Sequence, residues 1–439
     1  MKKIFALVLA LAMVLSVVAC SGSTTDTTAT TTETATETAT AATETATEAT
    51  EAAVEAEVTE DGIVGAANTV YDDSKYVSMT ADELYQEALA EGGVLVIYSE
   101  TSSAEKSIAT FQEMYPGIEV ECTKYKNYDI SAKIPMEYTS DQQYCDVVVA
   151  GDSSGEKYNE WYPNGYVVAY VPDCMKTDLY TEFLAYGLPI TMEADVWYYS
   201  KTMYPDGSPI NNWWDIVEMD ENGNSKYHLY TNDPSNETMM GILTNLVANS
   251  DVLAEAYKDK YGTDIEYTYN ADELGVEAGN AGYEWIYRFL QTNHTIITDS
   301  DEVLATVDVS TEPALGIGTT LKYGDTIEAG ENVGFCLGLQ PWLGFTKEKY
   351  VYICTKTDNP AAARLYAIYA LGGEDGTGAG YDFYVNRNGC YGVRYSHDNS
   401  THSDIAYEEL NVTSSNIDYV YQYGLDIQDF WTYYADKLN

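Results

Sequence analysis

The sequence predicts an α/β fold with a mixed, mostly parallel sheet and helices on its faces. Residues 94–98 and 146–150 form continuous apolar runs, which are typical of strands buried on both faces. Between them, residues 104–114 place Phe111 and Met114 at the spacing of one helix face. This alternation of apolar runs with amphipathic segments indicates a sheet whose strands are connected through helices.

The alternation continues along the chain. Residues 186–201 indicate one long extended segment with a polar interruption at Glu193 and Asp195. A later apolar run at residues 350–354 precedes another helical segment. The body that follows the N-terminal segments, residues 71–439, is long enough for two domains.

The N-terminus has the pattern of a bacterial secretory signal. Two lysines precede an apolar run, and a small residue and Cys20 follow it. The run is shorter than the roughly 20 residues that a membrane span needs. Residues 17–20, Val-Val-Ala-Cys, resemble a lipobox, which implies a signal peptide over residues 1–19 and acylation of the Cys20 sulfur. Because such a lipid anchors a protein without spanning the bilayer, we expect this protein on the extracellular face of the cell membrane.

A tether follows the lipidation signal. Residues 20–70 consist largely of Thr, Ala and Glu, with no aromatic residue between Phe5 and Tyr71 and no Lys or Arg between Lys3 and Lys75. A segment with so little apolar surface to bury is predicted to be disordered. We expect it to hold a folded body away from a membrane.

Charge and cysteine spacing argue against several classes of function. The chain has a formal net charge of −48, which argues against nucleic acid as a partner because nucleic-acid binding needs a basic face. The six cysteines of the body contain no Cys-x-x-Cys pair, which argues against a zinc site and leaves any disulfide pairing open. Cys122, Cys145 and Cys354 lie in apolar runs and are predicted to be buried thiols.

Several segments occur in the order found in the solute-binding components of ABC importers. They are LVIYSETSSAEKSIATFQEMYPGIEV, CDVVVAGDSS, NGYVVAY, YGLPI with VWYYSK, NNWWDI, LYTNDPSNET and DNPAAARLYAIYAL. The body therefore resembles this family of extracellular solute-binding proteins, in the branch that includes ferric-iron, thiamine, polyamine and phosphonate binders. The resemblance covers most of residues 90–400.

The resemblance implies a type II periplasmic-binding-protein-like clamshell of two α/β lobes, with hinge crossings expected near residues 192–199 and 307–316. Ligand lies between the lobes and is buried by hinge closure. The resemblance also implies a monomer without cofactor or enzymatic activity, whose partners are a small-molecule solute and an ABC permease. The expected lobe boundaries are 71–192 with 310–345 for lobe one, and 196–306 with 346–439 for lobe two.

Physical reasoning supports a site in that cleft independently. Ligands of open α/β sheets bind outside the carboxyl ends of the strands, where helix N-termini offer free N–H groups. Small hydroxyl groups donate and accept hydrogen bonds, which suits sugar, phosphate and carboxylate oxygens alike. Three polar loops have this position, and they supply the candidate ligand-binding residues Thr101, Ser102, Ser103, Asp152, Ser153, Ser154, Ser235, Asn236, Glu237 and Thr238.

Helix capping is the alternative role of each loop. Ser, Thr, Asp and Asn are the preferred N-cap residues, and Ser102 with Glu105 fits a capping box. Aromatic residues near the crossings are predicted to supply the apolar wall that is usual in small-ligand sites. The crossings and the return segment add the candidates Glu193, Trp197, Tyr199 and Trp342.

The residues leave the solute open among a polyamine, a phosphonate or phosphate ester, thiamine, a sugar and ferric iron. We favour a small polar organic solute over bare iron, because the pair Tyr198-Tyr199 lies at a predicted crossing, whereas iron binders of the family carry their tyrosine pair in lobe two. The four histidines form no His-x-x-x-His pattern, and no G-x-S-x-G or P-loop motif occurs, so we predict neither catalytic residues nor a metal site. The alternatives are a secreted carboxylate-based hydrolase and a cell-surface adhesin on the same tether.

Overall fold

The computed structural model describes residues 55–59 and 62–438. The predicted signal peptide, Cys20 and most of the predicted tether lie outside the described residues. The strands are β1 (Glu57–Thr59), β2 (Gly62–Val64), β3 (Val94–Ser99), β4 (Glu119–Lys124), β5 (Val147–Gly151), β6 (Val167–Val168), β7 (Leu188–Ser200), β8 (His228–Thr231), β9 (His294–Ile296), β10 (Ala314–Thr319), β11 (Val333–Phe335) and β12 (Gly344–Cys354).

The α-helices alternate with these strands as the apolar pattern predicts. The helices are α1 (Ala81–Glu91), α2 (Ser102–Met114), α3 (Asn127–Thr139), α4 (Thr181–Leu184), α5 (Trp213–Ile216), α6 (Glu237–Ala248), α7 (Ser250–Tyr261), α8 (Ala281–Phe289), α9 (Ser300–Val309), α10 (Lys322–Ala329), α11 (Pro360–Ala370), α12 (Ala379–Val385) and α13 (Ile417–Leu438). None of the described helices is both long and apolar enough to span a bilayer.

One mixed sheet runs through the body in the order β4-β3-β5-β12-β7-β10-β8-β9, with β6 also paired to β12 and β11 to β7. In what we call the first half, β3 is parallel to β4 and β5. In the second half, β8 is parallel to β9 and β10. The antiparallel strands β7 and β12 stand between these two groups. The predicted α/β class, with a mostly parallel sheet in each half, is confirmed.

Two long strands join the halves. β7 pairs with β12 along most of its length and with β10 through residues 195–199. β12 begins against β7 and pairs with β5 through residues 349–353. β7 therefore lies where the first crossing was predicted, and β12 forms a second crossing.

The second crossing was predicted at the wrong segment. Residues 307–316 end α9 and begin β10, which pairs with β8 inside the second half. The segment 310–345, expected in lobe one, therefore lies mainly with the second half, because β11 also pairs with β7 at residues 198–200. The reverse holds after β12, where α11 packs on α1 and α12 packs on α2 in the first half.

The chain then returns to the second half. α13 packs on α6 and α8, and it also contacts the helical turn 157–161 of the first half. Only this last part of residues 346–439 lies where lobe two was expected. The halves are thus linked by three passages of the chain, of which the last leads into α13.

The end of the predicted tether belongs to the folded body. β1 and β2 form an antiparallel pair. Ala56 is buried, and its N–H donates to the Thr181 carbonyl at 3.1 Å. Ala66 is also buried and donates to the Ala185 carbonyl at 3.0 Å. The boundary at residue 70 was therefore placed too late, because these few apolar positions do bury their side chains.

The cysteines of the described residues are all free thiols. Cys145 and Cys354 are buried in the core on one face of the first half, as predicted. Cys122 is only half-buried. Burial raises the pKa of Cys122 to about 11, so this thiol stays protonated at neutral pH.

The pairing of β7 with β12 requires a glycine at residue 344. A Cβ atom at Gly344 would overlap the carbonyl oxygen of Asp195 on β7. We expect Gly344→Ala to lower the free energy of unfolding by about 1–3 kcal/mol or more, because the buried strands must move apart. Gly424→Ala is the control, since its Cβ would meet no atom closer than 3.8 Å and alanine favours the helix. Urea denaturation of both variants measures the difference, and equal stability of the two would contradict this account of the crossing.

Candidate functional site

A cleft of about 1230 Å³ lies between the two halves. The loops that line it follow the carboxyl ends of β3, β4, β5 and β8, and the crossing strands β7 and β12 form its floor. α13 supplies one side through Val420, Tyr421 and Leu425. The cleft is therefore at the position where open α/β sheets bind ligands.

The wall from the first half is built around the start of α3. The ammonium of Lys157, which has no exposed surface, donates to Asn127 Oδ1 at 2.8 Å and to Ser131 Oγ at 3.3 Å. Asn127 in turn donates to Ser153 Oγ at 3.3 Å. The buried lysine thus holds two polar side chains of α3 in place along the cleft.

The loop after β5 is fixed by a buried carboxylate. Asp152 Oδ1 and Oδ2 accept from the backbone N–H groups of Lys157 and Tyr158 at 2.9 and 2.8 Å. Gly155, at a φ of +70°, follows in the same loop, and a Cβ there would overlap the carbonyl oxygen of Ile417 in α13. This loop therefore carries Ser153 and Ser154 into the cleft and lets α13 approach closely.

The wall from the second half is the loop before α6. Asn236 Oδ1 accepts from the Thr238 N–H at 3.0 Å and so caps the helix. Ser235 and Glu237 line the cleft beside it. Glu237 also meets the opposite wall, since its Oε1 accepts from Asn127 Nδ2 at 3.4 Å. The loop thus combines a capping role with a position in the cleft.

The cleft floor carries a buried ion pair. Lys349 on β12 donates to Glu193 Oε1 on β7 at 2.6 Å, and Glu100 Oε1 lies 3.9 Å from the same ammonium. Burial would raise the pKa of Glu193, but Lys349 and Lys347 outweigh it and hold that pKa at about 2. Glu193 is therefore ionised at neutral pH and is fixed by its partner.

A second carboxylate of β7 has no such partner. Asp195 is 4% exposed, and its Oδ1 atom has no hydrogen-bond partner among the described residues. Burial raises the pKa of Asp195 to about 7, against the lowering effect of Lys347 and with a further rise from Glu193. It lines an inner recess of about 40 Å³ at the end of the cleft. The other residues of this inner recess include Glu237, Gly241, Asn245, Thr346, Lys347 and Ser415.

Half of the predicted site residues line the cleft or the inner recess. These are Asp152, Ser153, Ser154, Glu193, Ser235, Asn236 and Glu237. The loop after β3 contributes only Glu100, because Thr101 caps α2 by accepting from the Ser103 N–H at 3.2 Å. Ser102 and Ser103 form the first turn of that helix and lie outside the lining.

The predicted aromatic wall is wrong. Trp197 is on the same face of β7 as Glu193, but it is fully buried against Trp213 of α5, which covers the strand there. Trp342 packs on the same Trp213 ring. Tyr199 packs on Tyr204, and Thr238 is buried in α6, so neither lines the cleft.

The aromatic and basic residues of the cleft were missed. The segment after β4 supplies Lys124, Tyr125, Lys126 and Tyr128, and β12 supplies Lys347 and Lys349. The sequence does contain a signal for the two lysines of β12. Residues 346–349, Thr-Lys-Glu-Lys, stand directly before an apolar run, and their lysines are two residues apart, as on one face of a strand. The contribution of α13, by contrast, depends on tertiary packing alone.

Comparison with solved structures shows the fold. Iron-bound HitA from Pseudomonas aeruginosa matches with a TM-score of 0.55 at 14% identity, over 76% of this chain and 98% of that one. Ferric iron-binding protein A from Mannheimia haemolytica, in an open conformation, matches with a TM-score of 0.55 at 12% identity, over 78% of this chain and 98% of that one. MotA from A. tumefaciens B6, a periplasmic binding protein in complex with glucopine, matches with a TM-score of 0.52 at 11% identity, over 78% of this chain and 100% of that one. No protein-family model and no curated protein matches the sequence.

The chain thus has the type II periplasmic-binding-protein-like fold, in which two lobes form a clamshell. Two of these descriptions name iron and the third names glucopine, so the fold does not select a ligand for this chain. Within residues 55–59 and 62–438, no group of three or more His, Cys, Asp or Glu side chains is arranged to hold a metal ion. The cleft offers carboxylates, ammonium groups and hydroxyls, which suit a small polar solute.

The Glu193–Lys349 pair is expected to matter for stability in a pH-dependent way. Glu193→Gln leaves the buried Lys349 ammonium with only Glu100, so we expect a loss of about 3 kcal/mol in the free energy of unfolding at pH 7. Because the pKa of Glu193 falls from 4.5 to about 2 on folding, its contribution is full above pH 4.5 and is lost as the pH falls towards 2. Urea denaturation should therefore show a smaller difference between variant and wild type at pH 3 than at pH 7.

A surface pair of the same length is the control. Lys75 and Glu87 are also 2.6 Å apart, but their side chains are 61% and 39% exposed. We expect Glu87→Gln to leave stability nearly unchanged, because solvent screens exposed pairs. If both variants had equal effects, or if the Glu193→Gln effect did not depend on pH, the pair would not have the role described.

Proposed function

We propose that this protein is the substrate-binding lipoprotein of an ABC importer, which captures a small polar solute in the cleft and delivers it to the permease. The observation that carries the proposal is the cleft of about 1230 Å³, which is lined by both halves of the sheet. A volume of this size is above what a typical small-molecule site needs. The fold supports the proposal, because the compared binding proteins share it.

Contacts across the cleft support a hinged mode of binding. Tyr421 on α13 donates to Glu160 Oε1 on the opposite wall at 2.8 Å, and Asn127 donates to Glu237 at 3.4 Å. Both pairs involve exposed side chains at the cleft, so they form and break at little cost as the halves move. The crossing strands can then act as the hinge about which the halves close on the solute.

The anchor and the delivery step rest on the N-terminal sequence. Cys20 stands where a lipobox cysteine is acylated, and the Thr/Ala/Glu-rich segment after it provides a long tether. A tether of about 35 residues, from Cys20 to the first described strand, has a root-mean-square span of roughly 30–35 Å. That reach allows the body to stand away from the membrane while remaining near a permease in the same bilayer.

Solute binding should stabilise the full chain without turnover. We expect at least one solute from a panel of polyamines, phosphonates, thiamine, sugars and ferric salts to raise the midpoint of thermal unfolding, with the shift growing with solute concentration by mass action. The experiment uses the full chain in detergent and follows the solute by mass spectrometry. Conversion of the solute to a product would instead favour the hydrolase alternative.

Matched variants locate the binding. Ser153→Trp fills the cleft from the loop after β5 and should abolish the shift. Thr101→Ala removes a helix cap outside the cleft, so we expect it to lower stability by about 0.5–2 kcal/mol and to leave affinity unchanged. If Ser153→Trp bound the solute as wild type does, the cleft would not be the site.

Anchoring through Cys20 is tested separately. We expect Cys20→Ala to move the protein from the membrane fraction into the soluble fraction of a bacterial host, because the variant has no sulfur to acylate. The wild type should incorporate labelled palmitate, and Cys20→Ala should not. Retention of Cys20→Ala in membranes, with the label still incorporated, would contradict the proposed anchor.

A further inference from the structure

One polar group of the site lacks a partner. Asp195 Oδ1 is the only unpartnered buried side-chain nitrogen or oxygen of the described residues that lines the cleft or the inner recess. No ion pair among the described residues includes Asp195, although Lys347 lies on the neighbouring strand. A buried carboxylate oxygen without a donor is unfavourable, which makes Asp195 Oδ1 a position where a donor group of a ligand would be stabilised.

The other polar side chains of the inner recess are already satisfied by one another. Asn245 donates to the Gly241 carbonyl and to Ser415 Oγ, and its Oδ1 accepts from the Asn416 N–H. Ser415 donates to the Thr346 carbonyl at 2.5 Å, and Thr346 Oγ1 accepts from the Ser415 N–H at 3.2 Å. None of these groups donates to Asp195 Oδ1. The Thr238 hydroxyl hydrogen-bonds to the same carboxylate, and Lys347 on the neighbouring strand attracts it.

The charge around the inner recess favours a cation. Lys349 is paired with Glu193, and Lys347 lies 3.7 Å from Glu237. The charged groups that line the inner recess with Asp195 are Glu100, Asp152 and Glu237 from the loops, and Lys347, Glu348 and Lys349 from β12. Carboxyl groups thus outnumber ammonium groups. Lys349 is paired with Glu193, and Lys347 is shared among Asp195, Glu237 and Glu193.

We propose that the solute carries an ammonium group, and that this group enters the inner recess and donates to Asp195 while the rest of the solute occupies the outer cleft. This inference rests on the proposed solute-binding function. A recess of about 40 Å³ holds a group of about the size of one water molecule, whose share of liquid volume is about 30 Å³, and an ammonium head has that size. The chemical class is a small amine with a polar remainder.

Matched pairs of solutes test the proposal in calorimetry with the full chain in detergent. The probes are 1,4-diaminobutane with 1,4-butanediol, 4-aminobutyrate with 4-hydroxybutyrate, and glucosamine with glucose. We expect at least one amine to bind at least about 30-fold more tightly than its hydroxyl counterpart, as is usual for a desolvated charge pair. Asp195→Asn should remove this preference, because the amide has no charge to pair with the ammonium.

Two further measurements distinguish a loss of amine selectivity from a general loss of folding. Glu137→Gln changes a buried carboxylate that accepts from Tyr98, away from the cleft, and should keep the amine preference. In the wild type, amine affinity should fall from pH 8 to pH 5.5, because Asp195 has a pKa raised to about 7 and loses its charge in this range while the amine stays protonated. The affinity of the hydroxyl counterpart should not follow that trend.

The possible failures are distinguishable. Tighter binding of a hydroxyl counterpart, of a phosphonate or of another anion in the cleft would overturn the amine inference and leave the solute-binding function standing. Amine binding that Asp195→Asn leaves unchanged would overturn the role of Asp195. If no solute of the amine pairs or of the broader panel binds, both the inference and the proposed function fail.

Discussion

The antiparallel pairing of β7 with β12 is the constraint on which the rest of the structure depends. β12 pairs with β5 and β6 of the first half, and β7 pairs with β10 and β11 of the second half. The pairing of β7 with β12 therefore joins the two parts of the sheet. They also carry charges into a buried position, with Glu193 on one strand and Lys349 on the other. Such a pair is tolerated in a core because each charge satisfies the other, whereas either charge left alone there would be strongly destabilising.

The cleft lies over this charged stretch. α6 packs on both crossing strands beside it, and the loops at the carboxyl ends of the parallel strands line the cleft. The coverage ends sharply on β7. Trp197 lies two residues beyond Asp195 on the same face, yet it packs fully under Trp213 of α5. The floor of the site is thus only as wide as the charged part of the two strands.

Local sequence pattern was sufficient for some parts of this arrangement and insufficient for others. The strand and helix of residues 94–114 and the loops carrying Ser153 and Ser235 were predicted, because strand end, turn and helix start are adjacent in sequence. The second crossing was misplaced, because the charges of β12 hid the first half of that strand and left only its apolar end visible. The aromatic wall failed for a different reason, since the sequence does not show which helix covers a given stretch of strand.

Capping and binding are not exclusive roles, and the site shows why. The Asn236 side chain caps the first turn of α6 and still lines the cleft. A polar loop residue can therefore cap a helix and contact a ligand at the same time. A residue that is satisfied within the protein gives no information about the ligand, because it needs nothing from one. Asp195 is informative because its Oδ1 atom lacks a hydrogen-bond donor, whereas the polar side chains of Asn245, Thr346 and Ser415 beside it have partners. The selectivity of the site is therefore expected to depend on this one carboxylate more than on the polar loops around it.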